Sequence, residues 1–215
     1  MTAQKGVVAP DGSPLALYLA LPGDEEAAIV DAAIPAGAAI LELGSGPGRM
    51  TRPLLDRGHA VTAVDNSPQM LEHLPEAAQP VLADIRDLHL GARWPVVLFA
   101  SHGLNDPLGE HFLRVAARHV EPSGCVVVQH HARGEIDAIE PKTTTRHGVD
   151  ITVTNVDHSA QGTVTAVMEY VVDGTTYHQP FTAHEIDIDT MAAAAGLVVD
   201  AVLDDAGTWT RLVPA

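Results

Sequence analysis

The stretch AAILELGSGPGRMTRPLL, from Ala38 to Leu55, constrains the fold of this chain more than any other part of its sequence. An apolar run there ends in an acid at Glu42, and three glycines follow within five residues before a helical pattern begins. Glycine lets the backbone reach positive φ and lets a ligand approach the main chain closely. A strand, a glycine-rich turn and a helix form the first unit of a nucleotide-binding sheet, whose ligand lies beyond the carboxyl ends of the strands.

Composition limits the classes of partner. The chain has 215 residues, which indicates one domain, and 46% of them are hydrophobic, enough for a core. Twelve basic residues against 28 acidic ones give a net charge of −16. That charge repels phosphate backbones, so we expect no nucleic acid partner. The single cysteine, Cys125, lies in an apolar run and is predicted to pack in the core.

Neither a membrane segment nor a leader is expected from the sequence. No apolar run approaches the roughly 18 residues of a membrane helix. The first 26 residues have no basic region followed by a long apolar stretch, so no signal peptide is predicted. We therefore expect no membrane partner and a cytoplasmic location.

Predicted strands and helices alternate over the first 130 residues. The strands are expected at 38–43, 59–64, 80–83, 95–100 and 124–130, and the helices at 50–57, 67–74 and 108–119. Ser67 is the predicted N-cap of the second of these helices, with Pro68 at its first position. Strands that are apolar on both faces and separated by helices indicate a parallel sheet covered on both sides.

The pattern changes after residue 147. Polar residues alternate there with apolar or β-branched ones, and Asp173-Gly174 is a hairpin signal, so two or three antiparallel strands are predicted. A helix over 184–197, stopped by Gly196, and a strand pair around the turn at 205–207 complete the chain.

The glycine spacing distinguishes between two classes of nucleotide-binding protein. A dinucleotide fingerprint needs a glycine at position 49, where this chain has Arg49. The pattern E-x-G-x-G-x-G from Glu42 to Gly48 instead resembles motif I of the class I S-adenosylmethionine-dependent methyltransferases. Further segments resemble the later motifs of that family in the same order, namely AVDNSPQML, ADIRDL, WPVVLFASHGLND and VEPSGCVVVQ, the last being similar to a turn into the fifth strand.

This resemblance covers residues 38–130, and AAAAGLVV near the C-terminus also fits it. It implies a Rossmann-like α/β fold with a mostly parallel seven-stranded sheet, helices on both faces and an inserted antiparallel region. The implied activity is methyl transfer from S-adenosylmethionine to a small-molecule acceptor. A nicotinamide-dependent oxidoreductase and a cofactor-binding module without catalysis are the alternatives.

The resemblance also implies the cofactor site. Glu42 would accept from the ammonium group of the cofactor, Asp65 would bind its ribose hydroxyls, and Asp84 would meet its adenine amino group. For Asp84 a helix cap is an equal alternative, and for Met70 core packing is the more usual role. The complete predicted set is Tyr18, Glu42, Gly44, Ser45, Gly46, Gly48, Asp65, Asn66, Met70, Asp84, Ile85 and Ala100.

Histidines at the ends of two strands are the candidate catalytic residues. An acceptor that carries a proton needs a base, and histidine is suited to that role near neutral pH. His102 follows the fourth strand, and His130 and His131 follow the fifth. Because neighbouring strand residues point to opposite faces, Gln129 and His131 should share one side and His130 the other. The chain has 12 histidines, most of which must be solvated, so a role for one of these three is a hypothesis. No metal site is predicted.

Residues 1–215 are interpreted as a single methyltransferase domain. The N-terminal segment 1–24 could form a lid. The segment 147–183 resembles the antiparallel insertion of sugar N-methyltransferases from antibiotic pathways, so it is expected to cover the substrate or to join two subunits of a homodimer. The alternative is a sheet extension without ligand contact.

Another segment resembles a different methylase motif. The run from Asn105 to Leu108 is similar to the N/D-P-P-aromatic motif of methylases that act on base amino groups, but it lacks the second proline and the aromatic residue. The sequence leaves open whether oxygen, nitrogen or carbon is methylated.

Overall fold

The computed structural model describes residues 6–215, and the first five residues of the predicted segment 1–24 lie outside it. Helices and strands alternate between residues 39 and 129, and residues 142–184 form four consecutive strands. The helices are α1 Leu15–Ala20, α2 Asp24–Ala33, α3 Thr51–Asp56, α4 Pro68–Leu71, α5 Gly109–His119 and α6 Ile188–Ala194. The strands are β1 Ala39–Leu43, β2 Ala60–Asp65, β3 Gln79–Leu82, β4 Trp94–Phe99, β5 Val120–Gln129, β6 Lys142–Arg146, β7 Val149–Ala160, β8 Thr163–Val172, β9 Thr175–His184, β10 Leu197–Val202 and β11 Trp209–Pro214.

Within residues 6–215, seven strands form the main sheet in the order β10-β11-β5-β4-β1-β2-β3. β1 pairs in parallel with β2 and β4, and β3 and β5 continue the parallel arrangement on either side. β11 runs antiparallel to both of its neighbours, β5 and β10. This topology confirms the predicted mostly parallel seven-stranded sheet. The carboxyl ends of β1, β2, β4 and β5 consequently meet at one edge.

The sheet is covered on both faces, as its apolar strands predicted. On one face, buried residues of α5 such as Leu113 and Ala116 pack with Leu41 and Val97 of the sheet. On the other face, Val30 of α2 and Leu54 of α3 belong to a second buried cluster. The central strands β1, β2 and β4 therefore bury both sets of their alternating side chains, which explains their largely apolar sequences.

A second sheet, which is antiparallel, is formed by the strands β6-β7-β8-β9 in that order. Asp173 and Gly174 join β8 to β9 with φ values of 48° and 76°, the conformation of a tight hairpin turn with a glycine. The sequence predicted two or three strands over 147–183, but within the described residues four extend from Lys142 to His184. β6 was not predicted, because its sequence KTTTR shows no alternation of polar and apolar residues.

Several predicted boundaries shift by a few residues. The N-cap is confirmed, since the Ser67 side chain accepts from the backbone N–H of Met70 at 3.3 Å. The helix predicted to begin at residue 184 begins at Ile188, because His184 ends β9 and the Asp187 side chain caps the helix at Thr190. Gly196 follows that helix with a φ of 75°, as predicted.

The segment VEPSGCVVVQ was predicted to turn into the fifth strand, and this is wrong in detail. All of Val120–Gln129 is strand, and the extra residues are accommodated by a register irregularity opposite Trp94 and Val96. A Cβ on Gly124 would lie 2.5 Å from the carbonyl oxygen of Pro95, so only glycine permits this close approach of the two strands. In the described part of the chain, no helix is long and apolar enough to cross a membrane.

Candidate active site

The glycine-rich loop of residues 44–48 joins β1 to α3 at the carboxyl edge of the main sheet. Gly44, Gly46 and Gly48 all have positive φ, between 55° and 90°, which explains why the turn needs glycines. The backbone N–H groups of Gly44 and Ser45 both donate to the carbonyl oxygen of Val64 at 2.9 Å, so the loop is held against the end of β2. A Cβ on Gly46 would meet no atom within 4 Å, so this part of the loop borders open space.

Asp65 connects the glycine loop to the beginning of α4. One carboxylate oxygen accepts from the N–H of Gly46 and the other from the N–H of Ser67, both at 2.9 Å. Burial raises the pKa of the Asp65 carboxyl, and the two backbone N–H groups oppose that shift by stabilising its charge. Each carboxylate oxygen retains further capacity to accept a hydrogen bond.

Glu42 lies at the end of β1, buried beneath the glycine loop, and is only 3% exposed. Its carboxylate accepts from the Thr51 hydroxyl at 2.6 Å. Desolvation by burial raises the pKa of Glu42 to about 7, and the Thr51 hydrogen bond and the positive charge of Arg49 limit the rise. A buried carboxyl with so perturbed a pKa is typical of a functional site.

Asp84 follows β3 and is already engaged within the chain. The Arg86 guanidinium, at 2.5 Å, lowers the pKa of Asp84 to about 2, and the backbone N–H of Arg86 also donates to it at 2.9 Å. The helix-cap alternative for Asp84 is therefore present in the structure. Asn66 lies beside Asp84, where its side chain also favours the ionised carboxylate.

The remaining predicted cofactor residues line or support this edge. Ile85 packs over the loop, since a Cβ on Gly44 would meet its side chain at 3.7 Å. Ser45 and Met70 are buried, at 4% and 2% exposure. Met70 therefore packs in the core, which is the alternative role considered for it above. Ala100 is half-buried directly after β4.

Tyr18, on α1, lies across from the glycine loop. Burial raises the pKa of its phenol, and the hydroxyl lies beside Ser13 and within electrostatic reach of Arg49 and Asp65. A polar network holds the N-terminal segment in place, because Ser13 donates to Asp11 at 2.7 Å and accepts from Gln179 of β9 at 3.0 Å. Arg49, which directly follows the glycine loop, donates to the carbonyl oxygen of Pro22 at 3.1 Å, so the segment contacts both the glycine-loop edge and the second sheet.

The three candidate histidines have different surroundings. His130 is buried, and both of its ring nitrogens are engaged at 2.9 Å, by the carbonyl oxygen of His131 and by the hydroxyl of Thr210. His102 and His131 instead stack on each other, with ring centroids 4.3 Å apart and planes inclined by 16°. The Nδ1 atoms of both rings are buried without a hydrogen-bond partner among the described residues.

Charge and burial distinguish the two stacked rings. Burial, followed by the neighbouring His131, lowers the pKa of His102 to about 4, so His102 is neutral at physiological pH. The Nδ1 atom of His131 lies 3.3 Å from a carboxylate oxygen of Glu135, which is close enough for an ion pair although the geometry is not that of a hydrogen bond. A carboxylate near one ring nitrogen favours the proton on that nitrogen and leaves the other nitrogen free to accept a proton.

Sequence reasoning missed that the side chains of Gln129 and Asn105 hold the loop after β4. Ser101 and His102 both have positive φ, 60° and 56°, which is unusual for non-glycine residues. The side-chain oxygen of Gln129 accepts from the N–H of Ser101 at 2.8 Å. The Asn105 side chain accepts from the N–H of His131 at 2.9 Å and donates to the carbonyl oxygen of His184 at 2.8 Å. Asn105 was considered only as part of a methylase-like motif, and no sequence signal marked its bridging position.

Comparisons with known proteins agree with this geometry. Residues 40–124 match the family described as methyltransferase domain. The methyltransferase CcbJ from Streptomyces caelestis is 26% identical, with a TM-score of 0.75 over 96% of this chain and 98% of that chain. An amino pentose methyltransferase from Micromonospora echinaspora is 17% identical, with a TM-score of 0.70 over 93% and 95%. The sugar N-methyltransferase KedS8 from Streptoalloteichus is 17% identical, with a TM-score of 0.69 over 100% and 98%. No curated protein sequence matches the chain.

The sheet topology and these matches thus show the fold of the class I methyltransferases. The chain is a methyltransferase of the S-adenosylmethionine-dependent class, as its motifs predicted, and the nicotinamide oxidoreductase alternative is not favoured.

Proposed function

We propose that this methyltransferase binds S-adenosylmethionine at the glycine-loop edge and methylates an amino group of a small molecule, with His131 as the base. One observation supports this proposal above all. The glycine loop, the carboxylates of Glu42 and Asp65, and His131 all lie at the same edge of the main sheet. S-adenosylmethionine supplies an activated methyl group, so the protein's tasks are to align the acceptor, to exclude water and to remove a proton.

The proposed cofactor-binding roles follow from the open space beside the glycine loop and from the hydrogen-bonding capacity that the two acids retain. Gly44, Gly46 and Gly48 let a ligand approach the backbone, and the space beside Gly46 is open. Asp65 is held by two backbone N–H groups and has unused lone pairs directed away from them, which suits ribose hydroxyls. The buried Glu42 suits a cationic ammonium group, which would favour its ionised form. Tyr18, Ser45, Asn66, Met70, Asp84, Ile85 and Ala100 complete the proposed set.

His131 is the best suited of the three candidate bases. Both ring nitrogens of His130 have partners within the chain, so His130 has no free nitrogen for an acceptor. The pKa of His102, about 4, makes it a poor proton acceptor at neutral pH. His131 has a carboxylate near its Nδ1 atom, which leaves its Nε2 atom to take the proton.

An amine fits the charge of the site better than an anionic acceptor does. Burial is the main cause of the raised pKa values of Tyr18, Asp65 and Tyr170, and the negative charge of Asp11 adds to each of these shifts, so the Asp11 carboxylate lies near all three side chains. Together with Glu135 and the net charge of −16, it produces a negative field that attracts a cation. Two structural neighbours act on an amino pentose and on a sugar nitrogen, which is consistent with an amine acceptor.

The second sheet and residues 6–24 are proposed to cover the acceptor, and a homodimer formed through the second sheet is the alternative role for that sheet. No part of the proposal needs a nucleic acid or a membrane, and we propose a cytoplasmic location.

The test measures release of S-adenosylhomocysteine with matched pairs of amino sugars and their parent hydroxyl sugars. We expect S-adenosylhomocysteine to be released with the amino sugars and not with their parent hydroxyl sugars. Release only with the hydroxyl sugars would contradict an amine acceptor. Replacing His131 by Ala should lower the rate roughly 10²- to 10⁴-fold with little change in cofactor affinity. His89→Ala, in the loop before β4, is the matched control. A normal rate in the His131→Ala variant would exclude His131 as the base.

A further inference from the structure

The loop between β4 and α5 has a conformation that its own sequence does not favour. Ser101 and His102 are consecutive non-glycine residues in the left-handed region. Such residues are conformationally strained and persist only where surrounding contacts hold them. The next residue, Gly103, packs so tightly that a Cβ would lie 2.3 Å from the Phe99 ring. Contacts from outside the loop must therefore maintain this conformation.

Asn105 supplies contacts to three parts of the molecule. Its backbone N–H donates to the carbonyl oxygen of His102 at 3.0 Å, which closes the loop on itself. Its side-chain oxygen accepts from the N–H of His131, just beyond the end of β5. Its side-chain nitrogen donates to the carbonyl oxygen of His184, the last residue of β9. The side chain is 1% exposed, so neither water nor another residue can readily replace these bonds.

The partners also determine the orientation of the Asn105 amide. A backbone N–H can only donate and a carbonyl can only accept, so the oxygen must face His131 and the nitrogen must face His184. No other side chain of this length could satisfy both groups. An ionised Asp has no donor, and Leu has neither a donor nor an acceptor.

We propose that Asn105 is a positioning residue: it fixes the stacked pair of His102 and His131 against the second sheet, and so sets the place of the base relative to the surface that covers the acceptor. This inference rests on the proposed function for its catalytic meaning. The fixing of the stacked rings depends only on the contacts of Asn105.

The stacked rings provide a readout that needs no acceptor. The pKa of His102 is held at about 4 by burial and by His131, with Glu135 and the backbone of His130 opposing the shift and the ring of His130 adding to it. If Asn105 no longer holds His131, the rings separate and water reaches His102. The His102 pKa should then rise towards its ordinary value of 6.5.

The experiment follows the ring C–H signals of His102 by nuclear magnetic resonance against pH, in the protein with S-adenosylhomocysteine added. In Asn105→Ala the His102 pKa should rise by about one unit or more. Asn155→Ala, an exposed asparagine on the second sheet, is the matched control and should leave the His102 titration unchanged. A purely structural role for Asn105 would lower stability and leave the titration of the folded protein as it is, so an unchanged His102 pKa overturns the proposal.

Two further measurements keep the proposal testable if Asn105→Ala does not fold. Asn105→Leu keeps a side chain branched at Cγ but removes both hydrogen bonds, and the same rise in the His102 pKa is expected. In the wild-type protein the His131 amide proton should exchange slowly with solvent, and exchange as fast as that of an exposed amide would overturn the proposal. Failure of S-adenosylhomocysteine to bind the wild-type protein would contradict the proposed function alone, because the His102 titration can be followed without it.

Discussion

Replacing Glu42 by Gln should change stability and cofactor affinity in opposite directions. Glu42 is fully buried and accepts one hydrogen bond, from Thr51, and Gln has nearly the same shape and can accept the same bond. The substitution therefore removes the ionisable group and leaves the packing intact. Any difference between the two proteins should follow the ionisation of this one carboxyl.

The magnitude comes from the raised pKa, about 7 in the folded chain against an ordinary value of 4.5. Between these pH values the folded chain holds a proton that the unfolded chain has lost, so wild-type stability falls as pH rises from about 4.5 to about 7 and then levels off. At about 1.4 kcal/mol per pK unit, the free energy of unfolding of Glu42→Gln should exceed that of wild type by roughly 2 kcal/mol at pH 6 and roughly 3 kcal/mol at pH 8.5.

Urea denaturation of the cofactor-free protein at these two pH values measures the difference. Glu76→Gln, at an exposed position, is the matched control and should give no pH-dependent change. A stability difference between Glu42→Gln and wild type that does not grow with pH would refute the reasoning. At pH 8 the same substitution should weaken S-adenosylmethionine binding at least about tenfold, because the neutral amide cannot attract the cofactor's ammonium group. Unchanged affinity would remove Glu42 from the proposed site.

Three other substitutions test the glycine-loop edge and the loop after β4. Asp65→Ala removes a carboxylate that two backbone N–H groups position, so calorimetry should show at least about a tenfold loss of S-adenosylmethionine affinity, with the exposed Asp205→Ala as control. Gly46→Val should abolish binding, since a β-branched side chain is excluded at a φ of 55° and its Cβ points into the open space; normal binding would place the ligand elsewhere. Gly103→Ala should lower the free energy of unfolding by about 1–3 kcal/mol, because its Cβ overlaps the buried Phe99 ring; unchanged thermal unfolding would contradict the packing.

The parallel half of the fold could be predicted because its signals are local and repeated. β1, β2 and β4 are predominantly apolar runs, and Ser67 followed by Pro68 marks the start of α4. The second sheet was foreseen only in outline. Alternation identified β7 and β8, but the threonine-rich β6 has no apolar face, and whether the strands join the main sheet depends on long-range packing.

The cofactor-binding part of the candidate site could be predicted from the sequence, whereas the contacts around the candidate base could not. Glu42 and the glycines are consecutive in sequence, so the motif alone brought them together. The stacking of His102 on His131 and the bridge made by Asn105 join residues about 30 and 80 positions apart. Such contacts depend on how β4, β5 and β9 are arranged, and no local pattern of residues encodes that arrangement.

The central claim is that the glycine loop and its acids bind S-adenosylmethionine. Isothermal titration calorimetry of the wild-type protein with S-adenosylmethionine, and separately with NAD, tests it most directly. We expect saturable binding of one S-adenosylmethionine per chain that Gly46→Val abolishes, and no binding of NAD. Binding of NAD, or S-adenosylmethionine binding that persists in Gly46→Val, would contradict it.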